Sequence, residues 1–292
     1  MPTLPRNAIL ATLLFLIFGL TIAPAWSSEQ VVYAAGDIAE CTADPRESAA
    51  FRTAALVPVG ATVLLVGDAV YPLGEPEHFA RCFEPTWGRH RPTTLPVPGN
   101  HEYYAKDARG YFDYFGAAAG VNGYVAKYIG DWLVIGLNSN LKGEALVRQE
   151  RWLTEILAAK GSAGKCLLAF WHHPLFSSRR RGKGAEGMKG AWALLQARHA
   201  DIVLNGHEHF YEAFAPQNID GAADQAGLRE FIVGTGGGEL DNTDGGPRAA
   251  NSRLWLKTYG VLKLTLAERS YRWQFLGEDG KVLDRGSAPC HR

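Results

Sequence analysis

The stretch DIVLNGHEH, residues 201–209, is an apolar run that stops at a glycine and two histidines. Ile202-Val203-Leu204 is short, and Asn205-Gly206 is a turn signal, so the run reads as a buried strand that ends there. His207 and His209 then leave the strand end with Glu208 between them. Working outward, the same pattern recurs in VVYAAGD (31–37), TVLLVGD (62–68), TLPVPGNHE (94–102) and CLLAFWHH (166–173). Helical patterns lie between the runs, at EALVRQERWLTEILAAK (144–160) and MKGAWALLQARHA (188–200). Strand and helix in alternation imply an α/β fold with parallel pairing and crossover helices. Farther on, FIVGTGGG (231–238) reads as another strand, and YGVLKLTLAE (259–268) with SYRWQFL (270–276) as a C-terminal antiparallel hairpin. No repeat or linker divides the chain, so residues 30–288 read as a single domain.

In open α/β sheets, ligands sit where loops leave the carboxyl ends of the strands. The five runs end in Asp37, Asp68, Asn100-His101, His172-His173 and His207-x-His209. Of the nine histidines, five fall in these ends. Carboxylate with imidazole is a mixture that binds Zn, Fe or Mn. Ligands on so many separate strand ends favour two ions, which such sites hold about 3.5–4 Å apart with a carboxylate able to bridge them.

The rest of the composition sets bounds. The chain has 292 residues, of which 30 are acidic and 30 basic, a balance that argues against a general nucleic-acid binder. At the N-terminus, Arg6 precedes an apolar stretch from Ala8 to Ile22, and Ala23 and Ala25 follow in an A-x-A arrangement. Residues 1–25 therefore read as a cleaved signal peptide, and the protein as secreted or periplasmic, with no permanent membrane span after cleavage. The four cysteines, Cys41, Cys82, Cys166 and Cys290, form no C-x-x-C pair. In an exported chain they imply two disulfides, with three possible pairings.

The ordered series GDIAE, GDAVY, GNHEY, WHHP and GHEHFYE resembles the calcineurin-like metallophosphoesterases, and within them is most similar to the purple acid phosphatase branch. The resemblance implies a four-layer α/β/β/α sandwich with a mixed sheet core. It implies that Asp37, Tyr71 and His209 bind a first metal, that Asp68 bridges both, and that Asn100, His172 and His207 bind the second. His101 would contact the phosphate and could protonate the leaving group. Many relatives carry Asp-x-His at the first motif, where this chain has Asp37-Ile38-Ala39, and Tyr71 fits as the replacement ligand. A phenol of ordinary pKa about 10 is ionised best by a hard trivalent cation, so Fe(III) is expected first, with Fe, Zn or Mn second. The expected reaction is hydrolysis of a small phosphate monoester by a metal-activated hydroxide. The alternatives are a phosphodiesterase or nucleotide hydrolase on the same scaffold, or a non-catalytic exported metal-binding protein.

Neighbouring parallel strands would bring together the loops that carry Cys41 and Cys82, which leaves Cys166 with Cys290. Other residues take supporting or ordinary roles. His173, Glu102 and Glu208 are expected to support the ligands, Asn138 and Asn140 either to approach the site or to cap a turn, and His78, His90, His199 and His291 to lie on the surface. The basic stretch SSRRRGKGAEG (177–187) reads either as a solvated loop or as a rim that attracts phosphorylated substrates.

Overall fold

The computed structural model describes residues 1–2, 29–179, 185–241 and 247–291. The expected signal peptide, apart from its first two residues, and the centre of the basic stretch, 180–184, lie outside the described residues. The strands, in chain order, are β1 (Gln30–Ala35), β2 (Thr62–Val66), β3 (Thr94–Val97), β4 (Val125–Ile129), β5 (Trp132–Gly136), β6 (Cys166–Phe170) and β7 (Ile202–Asn205). They continue with β8 (Tyr211–Phe214), β9 (Arg229–Val233), β10 (Ser252–Leu256), β11 (Gly260–Leu266), β12 (Ser270–Gly277) and β13 (Val282–Pro289).

Two mixed sheets form from them, one ordered β13-β12-β11-β1-β2-β3 and the other β10-β8-β9-β7-β6-β5-β4. Strand alternation sorts the side chains. Val32, Ala34, Leu64 and Val66 of the first sheet meet Val134, Leu168, Leu204 and Phe231 of the second in the central core. Tyr33, Ala35, Val63 and Leu65 face the other way, under the helix Ala49–Ala55 and the rings of Phe79, Phe83 and Tyr111. On the far side, Leu133, Leu167 and Val203 pack under Leu153 and Leu157 of Gly143–Ala158 and under Trp192 and Leu195 of Lys189–Ala197. Each sheet is thus covered on both faces, which is why its parallel strands read as continuous apolar runs. The four-layer α/β/β/α sandwich is the architecture observed.

The structure changes three details. The strand-end motifs do not share one open sheet: β1–β3 pair parallel in one and β5–β6–β7 in the other. The C-terminal hairpin is the start of a three-stranded meander, in which β13 pairs antiparallel with β12. Its sequence, VLDRGSAP, is an edge strand with half-exposed side chains and carries no apolar run to betray it. His90 is buried, not on the surface, with Nε2 3.1 Å from the Ala54 carbonyl. Both disulfides pair as expected, Cys41 with Cys82 and Cys166 with Cys290. Among the described residues no helix is long and apolar enough to cross a membrane.

Candidate metal centre

The carboxyl ends of the two sheets meet along one seam. Asp37 and Asp68 leave β1 and β2, and Asn100 opens the short helix Asn100–Tyr104 after β3. From the other sheet, His172 leaves β6, and His207 and His209 leave β7. Asp37, Asp68 and His207 turn off their strands with left-handed backbone angles, φ 56°, 47° and 70°. Gly99 and Gly206 permit the close approach that follows: a Cβ on Gly99 would stand 2.1 Å from Asp68 Oδ1, and one on Gly206 2.5 Å from Asp37 Oδ2.

Two groups of donor atoms result. Tyr71 Oη lies 2.9 Å from Asp37 Oδ1, 3.2 Å from Asp68 Oδ2 and 3.0 Å from His209 Nε2. In the second group, Asn100 Oδ1 lies 3.1 Å from His172 Nε2 and 3.0 Å from His207 Nδ1. Asp68 Oδ2, 3.2 Å from His172 Nε2, belongs to both. The structure therefore brings together all seven of the expected ligands, with Asp68 in the shared position.

The chemistry of these atoms fits cations. Tyr71 has one proton and three acceptors around its oxygen. His172 Nδ1 donates to the Val66 carbonyl at 2.9 Å, so in a neutral ring its Nε2 lone pair faces the oxygens of Asp68 and Asn100. His209 Nδ1 likewise donates to the Glu239 carbonyl at 2.6 Å, and its Nε2 faces Asp37 Oδ1 at 3.1 Å. Main-chain carbonyls thus fix the tautomers that leave Nε2 free to ligate. Lone pairs facing lone pairs need either a proton or a metal ion between them. Without an ion the protons go there: burial opposes charge on His172, but Asp68 raises its pKa to about 10. Burial likewise opposes charge on His209, and Asp37 raises it to about 9. Burial disfavours the Asp68 carboxylate too, yet His172 and then His101 hold its pKa far below the usual range. Burial, with Asp37 and Asp68 beside it, pushes the Tyr71 phenol well above its ordinary value.

His101 stands apart from both groups. Its main-chain N–H donates to Asp68 Oδ1 at 2.9 Å, its Nδ1 to the Pro72 carbonyl at 2.7 Å, and its ring packs on Tyr71 with centroids 4.3 Å apart. Nε2 is left on the side of the centre, 3.9 Å from Asp68 Oδ2.

Several supporting residues were not legible as such. Glu102 orients no histidine; its carboxylate accepts from the main-chain N–H groups of Asp68 (3.0 Å), Ala69 (2.8 Å) and Gly99 (2.6 Å) and so ties the second and third motif turns together. Tyr104 Oη accepts from Asn100 Nδ2 at 2.9 Å, which turns the amide oxygen toward the histidines. Asp241 accepts from His209 N at 2.9 Å and from Arg179 at 2.6 Å, and Arg179 also pairs with Glu208 at 3.0 Å. Tyr104 could have been found from its i, i+4 spacing to Asn100 on a helix; Asp241 and Arg179 follow only from the folded path. Asn138 caps and packs: its Nδ2 donates to Tyr103 Oη at 2.8 Å, away from the donors.

A model of the calcineurin-like phosphoesterase family matches residues 31–211. No curated protein is similar enough in sequence to count as a match. Among solved structures, a purple acid phosphatase from yellow lupin (Lupinus luteus) seeds superposes with a TM-score of 0.67 at 18% identity, over 91% of this chain and 54% of that one. This chain thus spans about half of the lupin protein. GAP50, described as the anchor in the inner membrane complex of Plasmodium, superposes with a TM-score of 0.72 at 12% identity, over 90% of each chain. A dimetal phosphatase from Danio rerio gives 0.61 at 11% identity, over 90% of this chain and 99% of that one. Identities this low speak for the fold alone.

Proposed function

The chain belongs to the calcineurin-like phosphoesterase family, and from that premise we propose that it is an exported phosphatase that hydrolyses phosphate monoesters at a two-metal centre. The observation that carries the proposal is the pair of donor groups sharing Asp68 Oδ2. Fold alone does not carry it, because the same fold serves an anchor protein as well as phosphatases.

The two donor groups differ in charge. Asp37, Asp68 and Tyr71 offer anionic oxygens beside the neutral Nε2 of His209, and the buried phenol yields its proton only to a strongly charged cation. Asn100, His172 and His207 are neutral donors that share only Asp68. This asymmetry supports Fe(III) in the first position and a divalent Fe, Zn or Mn in the second. When bound, two such ions supply Lewis-acid neutralisation of phosphoryl oxygens and acidify the attacking water.

The protein's own groups do the rest. Asp68 and the Pro72 carbonyl hold His101 with Nε2 toward the centre, where it meets a phosphoryl oxygen without ligating and protonates a poor leaving group. The chain has no G-x-S-x-G nucleophile elbow, and none is needed for direct attack by water. The two disulfides and the signal-like N-terminus support export. The test is elemental analysis of the purified protein followed by phosphate release from a panel of mono- and diesters. Two equivalents of metal and monoester turnover are expected. At most trace metal in an active enzyme sinks the metal centre, and turnover confined to diesters sinks the monoesterase reading.

A further inference from the structure

A cleft of about 910 Å³ opens beside the second donor group, with Asn100 and His207 on its edge. A phosphate held between the two groups would project its organic half into this space. The volume lies toward the top of the ~300–1,000 Å³ typical of clefts for drug-sized ligands. A three-carbon alcohol would leave most of it to water.

The walls offer flat and apolar surface. Tyr104 is 60% exposed and lines the cleft, with its oxygen already engaged by Asn100 and its ring 4.7 Å from that of His101. Phe176 is braced edge-on against Trp192 with centroids 5.2 Å apart, and Leu146 lines the cleft from the helix Gly143–Ala158. His173, next to the ligand His172, also lines it, with its ring 4.5 Å from that of His207. Ser139 Oγ accepts from the His173 main-chain N–H at 3.1 Å and lies 2.8 Å from its Nδ1. Nδ1 is an acceptor within reach of the hydroxyl hydrogen, and on that assignment the ring proton is on Nε2. Ser139 thereby makes His173 a donor with fixed orientation.

We propose that this cleft seats the organic half of the substrate, that the substrate class is a phosphate ester of an alcohol bearing an aromatic ring system of nucleoside size, and that His173 donates to it from Nε2–H beside the phosphate. The proposal rests on the phosphoesterase function above. Tyr104, Leu146 and Phe176 are then the residues that set specificity.

The full metal-loaded chain is assayed with adenosine monophosphate and glycerol phosphate, and adenosine binding is measured by calorimetry. The wild type should favour the nucleotide in kcat/KM by about tenfold or more, the scale on which apolar pockets discriminate. Leu146→Trp fills the cleft from outside the buried core and should erase most of that preference, chiefly through KM. His173→Ala should lower nucleotide turnover with two metals retained. Equal use of the two esters, or a preference unmoved in Leu146→Trp, would overturn the proposal, and loss of metal in His173→Ala would make His173 a ligand and overturn its donor role. If neither ester is hydrolysed, the phosphatase function fails; adenosine binding that Leu146→Trp abolishes then still upholds the cleft, and no adenosine binding overturns it too.

Discussion

Under the proposed function, the identity of the first ion turns on Tyr71. Its oxygen touches three donors of one group, and burial resists its ionisation. If Fe(III) ionises it, the protein should show a phenolate-to-iron band in the visible, and Tyr71→Phe should remove the band. A colourless active enzyme holding only zinc or manganese would refute the iron and leave the phosphatase standing. For His101 the expectation is different, since the proposed function has it act on substrate. His101→Ala should keep both metals yet lose ~10²–10⁴ in rate, the usual size for acid–base catalysis. The loss should shrink for esters with good leaving groups; wild-type turnover on a poor one would reduce His101 to a packing residue. Tyr71 and His101 were assigned through the resemblance of the motifs that hold them, GDAVY and GNHEY, each of which follows an apolar run that reads as a strand. Ser139 and Asp241 were not legible, because their contacts, to His173 and His209, join segments more than 30 residues apart by paths that no local pattern specifies.

At the scale of elements, the strand-end turns explain why the site needs bracing. Left-handed angles at non-glycine residues cost on the order of 1–3 kcal/mol each, and three of the donors hold them. Glu102 and the Cys41–Cys82 disulfide offset that cost, the first by three hydrogen bonds and the second by joining the loop after β1 to the helical segment Phe79–Phe83. Cys82→Ala should therefore lower stability by about 2–4 kcal/mol, measured by denaturant unfolding, and should weaken metal binding at Asp37. Unchanged metal affinity would confine the disulfide to general stability. The seven parallel and helical elements nearest the site were legible from periodicity. The edge strand β13 was not, since its sequence VLDRGSAP carries no apolar–polar alternation, although the folded strand alternates between more and less exposed positions.

For the whole molecule, the two donor groups are a store of protons when no ion is present. His172 and His209 have folded pKa values of about 10 and about 9, above the ordinary 6.5, owing to Asp68 and Asp37 against the opposing effect of burial. A raised basic group stabilises fully below its unfolded pKa and ceases to do so as pH rises through its folded one. The metal-free protein should lose thermal stability between pH 6.5 and about 10 on this account, whereas the loaded protein should not. Metal binding at neutral pH should release protons from these two rings but not from His207, whose pKa burial and the charge of His172 hold at about 4. Calorimetry in buffers of different ionisation heat checks the release, and buffer-independent heats would refute it. How the α/β runs divide between two sheets was not legible in the runs themselves, because a parallel strand has the same pattern in either sheet.

That division orders events in time. β1 carries Asp37 and lies between β2 and β11, yet β11 is made only after the whole second sheet, residues 125–256, has been synthesised. Until then β1 has an open edge, and the first sheet is half built. As the chain emerges from N- to C-terminus, every ligand is therefore present before the sheet that must hold it is complete. Contacts so distant in sequence form slowly, because the intervening chain has to be closed first. The centre is consequently a late event, and an ion that arrives early meets loose side chains rather than a site.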